Sequence, residues 1–151
     1  MDVFLVGMSY AAKELCAALR RRDGVQAMTY RVLVVEDELD TRELLDFTLR
    51  WNGHDVDPVE GGREALELLA VRSYDVILTD LHMPGMSGDD LYRRIEHGWP
   101  HLAPRVVFVS AAPPDNMFRA QYGRRPVPIL TKPYTPARLL QMIEHVVARD
   151  V

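Results

Sequence analysis

Three carboxylates, one hydroxyl and one amino group stand where apolar runs of this sequence end. The run Tyr74-Asp-Val-Ile-Leu-Thr-Asp80 has the pattern of a buried strand that closes on a carboxylate. Leu81-His-Met-Pro-Gly-Met-Ser-Gly88 follows at once, and its Pro84, Gly85 and Gly88 forbid further strand and force a loop. Asp80 is therefore expected at the mouth of a rigid strand, a position that suits a nucleophile better than a core residue. Glu36-Asp37, Ser110 and Lys132 close three other apolar runs in the same way. On a parallel sheet all of them would gather at one edge. Two carboxylates about 4 Å apart repel by roughly 4 kcal/mol at an effective dielectric near 20. Three cannot all ionise together without a cation, and a hard divalent ion with oxygen ligands, Mg²⁺ above all, resolves the conflict. With Lys132 and Ser110 added, the set is built to stabilise a phosphoryl group arriving on a carboxylate. The bland alternative is an ion-pair cluster that only joins loops.

Such convergence needs elements of the right kind, and the chain supplies them. Apolar, β-branched runs at 30–35, 54–59, 74–79, 105–109 and 127–131 predict five strands. Helical spacing predicts helices at 40–51, 63–71, 87–96, 115–122 (short and weak) and from Thr135 to about residue 149. Asp40 with Glu43 reads as a capping box, Ser87 with Asp90 as a cap pair, and Thr135 as a cap with Pro136 in the first turn. Strands alternating with helices predict a doubly wound α/β fold: a parallel sheet covered on both faces by right-handed crossovers. The expected domain organisation is an extension over residues 1–28, helical at 11–22 or a product of start-site choice, followed by one domain over residues 29–151.

Bulk composition narrows the function classes. The chain has 151 residues, 48% hydrophobic and 26% charged, with a formal net charge of -4. One domain with a proper core is expected. The acidic balance argues against a nucleic-acid surface, and the runs Arg20-Arg21-Arg22 and Arg124-Arg125 read as solvated faces. Cys16 is the only cysteine, which excludes an intrachain disulfide and suits a reducing cytoplasm. No apolar stretch reaches the roughly 18 residues that span a bilayer, and the N-terminal Val3-Phe-Leu-Val-Gly7 makes a poor signal peptide. No Gly-x-Gly-x-x-Gly follows the first strand and no Walker lysine motif is present, so dinucleotide binding and direct ATP use are disfavoured.

From Tyr30 to about residue 149, roughly four fifths of the protein, the chain resembles a response-regulator receiver domain of two-component signalling, of the single-domain type. The resemblance rests on Val-Leu-Val-Val-Glu36-Asp37-Glu38, Asp80-Leu-His-Met-Pro-Gly-Met-Ser-Gly88, Phe-Val-Ser110-Ala-Ala and Leu-Thr-Lys132-Pro-Tyr, in that order. It implies a flavodoxin-like sheet of strand order 2-1-3-4-5 with five helices. It implies Asp80 as the acceptor of phosphate from the phosphohistidine of a sensor histidine kinase or histidine phosphotransfer protein. Asp37 and Asp80 would ligate Mg²⁺ directly, Glu36 largely through water, and His82 through its backbone carbonyl rather than its ring. Ser110 and Lys132 would each pair with a phosphate oxygen, a cis Lys132–Pro133 bond would help aim the lysine, and the small Ala111 would leave the phosphate reachable. His82 and Ala112 lie where relatives tune the lifetime of the phosphoryl group.

The chain also departs from that pattern. Ile129 stands three residues before Lys132, where many receivers carry a Tyr or Phe that moves inward as the hydroxyl shifts. Tyr134 is expected to pack beside Pro133, and His97 and His101 read as surface residues; His54 and His145 carry no functional signal. With no output segment after the last helix, the expectation is a monomer or weak dimer that signals to an unidentified downstream protein by altered binding, with no nucleic acid or membrane partner. Its only chemistry would be self-phosphorylation from a phosphodonor and slow autodephosphorylation. The competing readings are a small-molecule phosphatase of the haloacid-dehalogenase type, which also uses an aspartyl phosphate, and a pseudo-receiver scaffold that is never phosphorylated. Glu36-Asp37-Glu38 lacks the two-residue aspartate spacing of the former, and the full acidic and lysine set counts against the latter.

Overall fold

The computed structural model describes residues 28–111 and 127–148. Five parallel strands form one sheet: β1 (Arg31–Val35), β2 (Asp55–Val59), β3 (Val76–Asp80), β4 (Val106–Ser110) and β5 (Ile129–Thr131). Their order is β2-β1-β3-β4-β5, the order implied by the resemblance. The described helices are α1 (Leu39–Trp51), α2 (Gly62–Leu69), α3 (Gly88–Gly98) and α4 (Pro136–Ala148), with a 3₁₀ segment at Pro100–Arg105. The extension before Met28, the helix expected at 115–122 and Ala112 lie outside the described residues. No described helix is long and apolar enough to cross a membrane.

Period-2 alternation along the strands assigns each side chain to a face. Val32, Val34, Val76, Leu78, Val107, Val109 and Leu130 meet Leu45 and Leu49 of α1 and Leu139, Met142, Ile143 and Val146 of α4. Leu33, Val35, Ile77, Val106 and Phe108 meet Ala65 and Leu69 of α2, Leu91, Tyr92 and Ile95 of α3, and Leu102. With both faces covered, the central strands read as continuous apolar runs rather than alternating ones. Each such fully buried aliphatic or aromatic side chain stabilises the fold by roughly 1.5–3 kcal/mol.

The caps divide. Ser87 Oγ accepts from the Asp90 N–H at 3.1 Å, and the Asp90 carboxylate accepts from the Ser87 N–H at 3.3 Å, the reciprocal pair expected at the start of α3. Thr135 Oγ1 accepts from the Arg138 N–H at 3.1 Å, and α4 opens on Pro136. The capping box expected of Asp40 and Glu43 is not formed: α1 starts a residue earlier, with Glu38 in the cap position and no side-chain cap bond. The Glu38 carboxylate instead accepts from the Thr41 hydroxyl at 3.0 Å. The third strand begins at Val76, not Tyr74, because Asp75 turns its backbone and carboxylate onto Arg31, with an Arg31 N–H to Asp75 Oδ2 bond of 2.8 Å. Tyr74 keeps its ring in the core and donates its hydroxyl to Asp57 Oδ2 at 2.6 Å.

Candidate functional site

The sheet register brings the carboxyl ends of four strands together. Val35 pairs with Thr79, Asp80 with Val109, and Ser110 with Thr131, so Glu36, Asp80, Ser110 and Lys132 stand in successive positions along one edge. The Glu36 N–H donates to Val59 O at 3.1 Å and the Lys132 N–H to Ser110 O at 2.7 Å, carrying the backbone order of the sheet into the site. The Lys132–Pro133 bond is cis, as the resemblance implies.

One carboxylate oxygen from each of Glu36, Asp37 and Asp80 lies within 4.8 Å of the others. Lys132 Nζ sits 3.5 Å from Glu36 Oε2 and 3.9 Å from Asp80 Oδ2. The Asp80 side chain is 13% exposed and that of Lys132 25%, so both still meet solvent. Asp80 Oδ1 accepts from the His82 N–H at 3.2 Å, which orients the carboxylate. The His82 ring is exposed, and no histidine ring belongs to the acidic group among the described residues. Ser110 is buried at the end of β4.

Glu36 carries the electrostatic strain of the cluster. Burial pushes its carboxyl up to about 7; the Glu38 N–H opposes this, Asp80 adds to it, Lys132 opposes, and a hydrogen bond with Asp37 adds again. One ammonium does not balance three acids. The donors are all hard oxygens on a partly open edge, which fits a divalent cation such as Mg²⁺.

The other features near the site come from packing between elements. Gly88 allows α3 to start against the end of β3: a Cβ there would fall on the Asp80 carbonyl oxygen and within 2.9 Å of Leu81 Cα. Tyr134 packs on the α1/α4 side of the core, and burial, with Glu36 adding, pushes its hydroxyl up to about 12. Arg42 reaches back from α1 to the Glu36 carbonyl at 2.9 Å. Nothing in the helical pattern of 40–51 distinguishes that arginine from a solvated one. Ile129 packs among the apolar residues of the α2/α3 face, beside Phe108. His97 and His101 are exposed, as expected, whereas His54 is buried, stacks on Tyr30 and accepts its N–H at 3.1 Å.

Comparison with known proteins gives the same picture. The family model for the response regulator receiver domain matches residues 32–144. Response regulator protein FleR of Pseudomonas aeruginosa is 32% identical over 116 residues, covering 77% of this chain and 24% of that protein. Sensory/regulatory protein RpfC of Xanthomonas campestris is 33% identical over 129 residues, covering 83% of this chain and 17% of that protein. The chain thus spans about a quarter or less of these relatives. A response regulator receiver protein from Pseudomonas putida has a superposable structure, with a TM-score of 0.69 at 29% identity over 79% of this chain and 98% of that one.

Proposed function

The chain belongs to the response regulator receiver domain family, and from that premise we propose that it is a phosphorylation-switched module whose phosphoacceptor is Asp80. The observation that carries this reading is the placement of Lys132 Nζ 3.9 Å from Asp80 Oδ2, with a carboxylate oxygen from each of Glu36 and Asp37 within 4.8 Å of one from Asp80. The phosphodonor is the phosphohistidine of a sensor histidine kinase or histidine phosphotransfer protein. An oxygen of Asp80 attacks phosphorus, the P–N bond breaks, and its electron pair returns to the imidazole. Lys132 meets the oxygens of the incoming group, and Ser110 donates its hydroxyl to another of them. Asp37, Asp80 and the His82 carbonyl would hold Mg²⁺, with Glu36 acting largely through water. When bound, that cation neutralises the acidic cluster and the charge on the transferred group.

Catalysis in this reading is confined to the chain's own phosphorylation and slow autodephosphorylation. Output is a change in partner binding, in the cytoplasm where the donor kinase presents its phosphohistidine. The residue at the aromatic switch position is Ile129, so repacking against Phe108, rather than movement of a phenol, transmits the change.

The test is incubation of the full chain with acetyl phosphate and Mg²⁺, read by mass spectrometry. The expected product is a single acid-labile acyl phosphate, absent in Asp80→Asn and without Mg²⁺. Beryllofluoride should shift the amide resonances of Ser110 and Ile129. Unchanged spectra at saturating beryllofluoride would indicate a scaffold, and catalytic turnover of small phosphate esters a phosphatase.

A further inference from the structure

Arg42 lies in the second turn of α1, one turn beyond the acidic pair it serves. Its side chain is only 13% exposed. Nη1 donates to the Glu36 carbonyl at 2.9 Å and, more weakly, to the Asp37 carbonyl at 3.5 Å. Nη2 faces Glu60 Oε1 at 3.6 Å, on the loop after β2, where the Glu60 side chain is 78% exposed. One nitrogen of the planar guanidinium thus meets two consecutive carbonyls, and the other faces a solvated carboxylate.

That arrangement addresses a geometric need of the site. Glu36 is anchored by the sheet through Val59 O and by Lys132, but Asp37 is exposed and follows the last sheet bond. Among the described residues, the Arg42 side chain is what joins both carbonyls of this turn to α1. We propose that Arg42 is a positioning residue for cation binding, holding the Glu36–Asp37 turn so that the Asp37 carboxylate faces Asp80. This deepens, and rests on, the reading of the acidic cluster as a Mg²⁺ site.

Positioning and bare charge predict opposite signs. A cationic side chain beside a metal site weakens metal binding through repulsion, so removing it would tighten binding. A side chain that orders the ligands strengthens binding, and removing it costs affinity, typically about tenfold or more. The exposed pair with Glu60 should matter little either way.

The experiment is calorimetric titration of the full-length chain with MgCl₂, in the wild type and in Arg42→Met, Arg42→Lys and Glu60→Gln, with urea melts on each. Arg42→Met keeps the apolar stem and should bind Mg²⁺ about tenfold more weakly while still unfolding cooperatively. Arg42→Lys keeps the charge but has a shorter reach and lacks the rigid plane that holds Nη1 between the two carbonyls, and should lose several-fold; it carries the test if Arg42→Met fails to fold. Glu60→Gln should stay within about twofold of wild type. Wild-type or tighter binding in a folded Arg42→Met or Arg42→Lys overturns the proposal, as does a loss in Glu60→Gln equal to that of Arg42→Met. A wild type that binds no Mg²⁺ overturns the cation-site reading itself, and the positioning role with it.

Discussion

Glu36 is the side chain on which the chemistry of the edge is most finely balanced. Its carboxyl is raised from an ordinary value of 4.5 to about 7, first by burial. Between those two values the folded chain holds a proton that the unfolded chain has released. The sign follows: in the absence of metal, stability falls as pH rises from about 4.5 to about 7 and then levels off. Thermal melts in chelator across that range should show a slope that is flattened in Glu36→Gln; equal slopes would remove Glu36 as the cause. The proton and a divalent cation compete for the same carboxylates, so Mg²⁺ affinity should drop as pH is lowered below about 7. Titrations at pH 6 and pH 8 read this directly. The types and order of the site residues were legible in the sequence because each closes an apolar run. The proton on Glu36 was not, because it depends on burial by residues distant in the chain.

Among the elements, α3 shows how a helix start is made to serve a strand end. The Ser87–Asp90 cap was legible because both partners are local. The need for glycine at Gly88 was not, since the obstructing atoms belong to β3. Gly88→Ala should push the helix away from the Asp80 carbonyl and destabilise the fold by about 1–3 kcal/mol, together with slower phosphorylation by acetyl phosphate. Gly98→Ala, at the other end of the same helix, has open space around the added methyl and no positive φ. It should be neutral or slightly stabilising. Urea denaturation of the two variants makes the comparison, and equal midpoints would contradict it. The expected Asp40–Glu43 box failed because α1 already starts at Leu39, which leaves Glu38 in the cap position and Asp40 inside the first turn.

At the level of the whole molecule, metal binding and folding are expected to be linked, because the acidic ligands converge only in the folded chain. Lys132 and Glu36 are 96 residues apart in sequence and 3.5 Å apart in space. A ligand that binds only the folded state at about one hundred times its Kd stabilises by roughly 2.7 kcal/mol. For a chain of this size that amounts to a Tm rise of several degrees. Differential scanning calorimetry with and without Mg²⁺ should show the rise in the wild type and its loss in Asp37→Asn. An undiminished rise in that variant would place the cation elsewhere.

The alternation of five apolar runs with amphipathic helices determined, in the sequence alone, a doubly wound parallel sheet and the edge on which its chemistry must lie. That much is local: strand period, helix period and the residue that ends each run are properties of short stretches of chain. Which carboxylate is buried, which arginine turns inward and which glycine admits a neighbouring backbone were decided only by tertiary structure. Each of these depends on distance between atoms of different elements, and packing, rather than pattern, sets those distances.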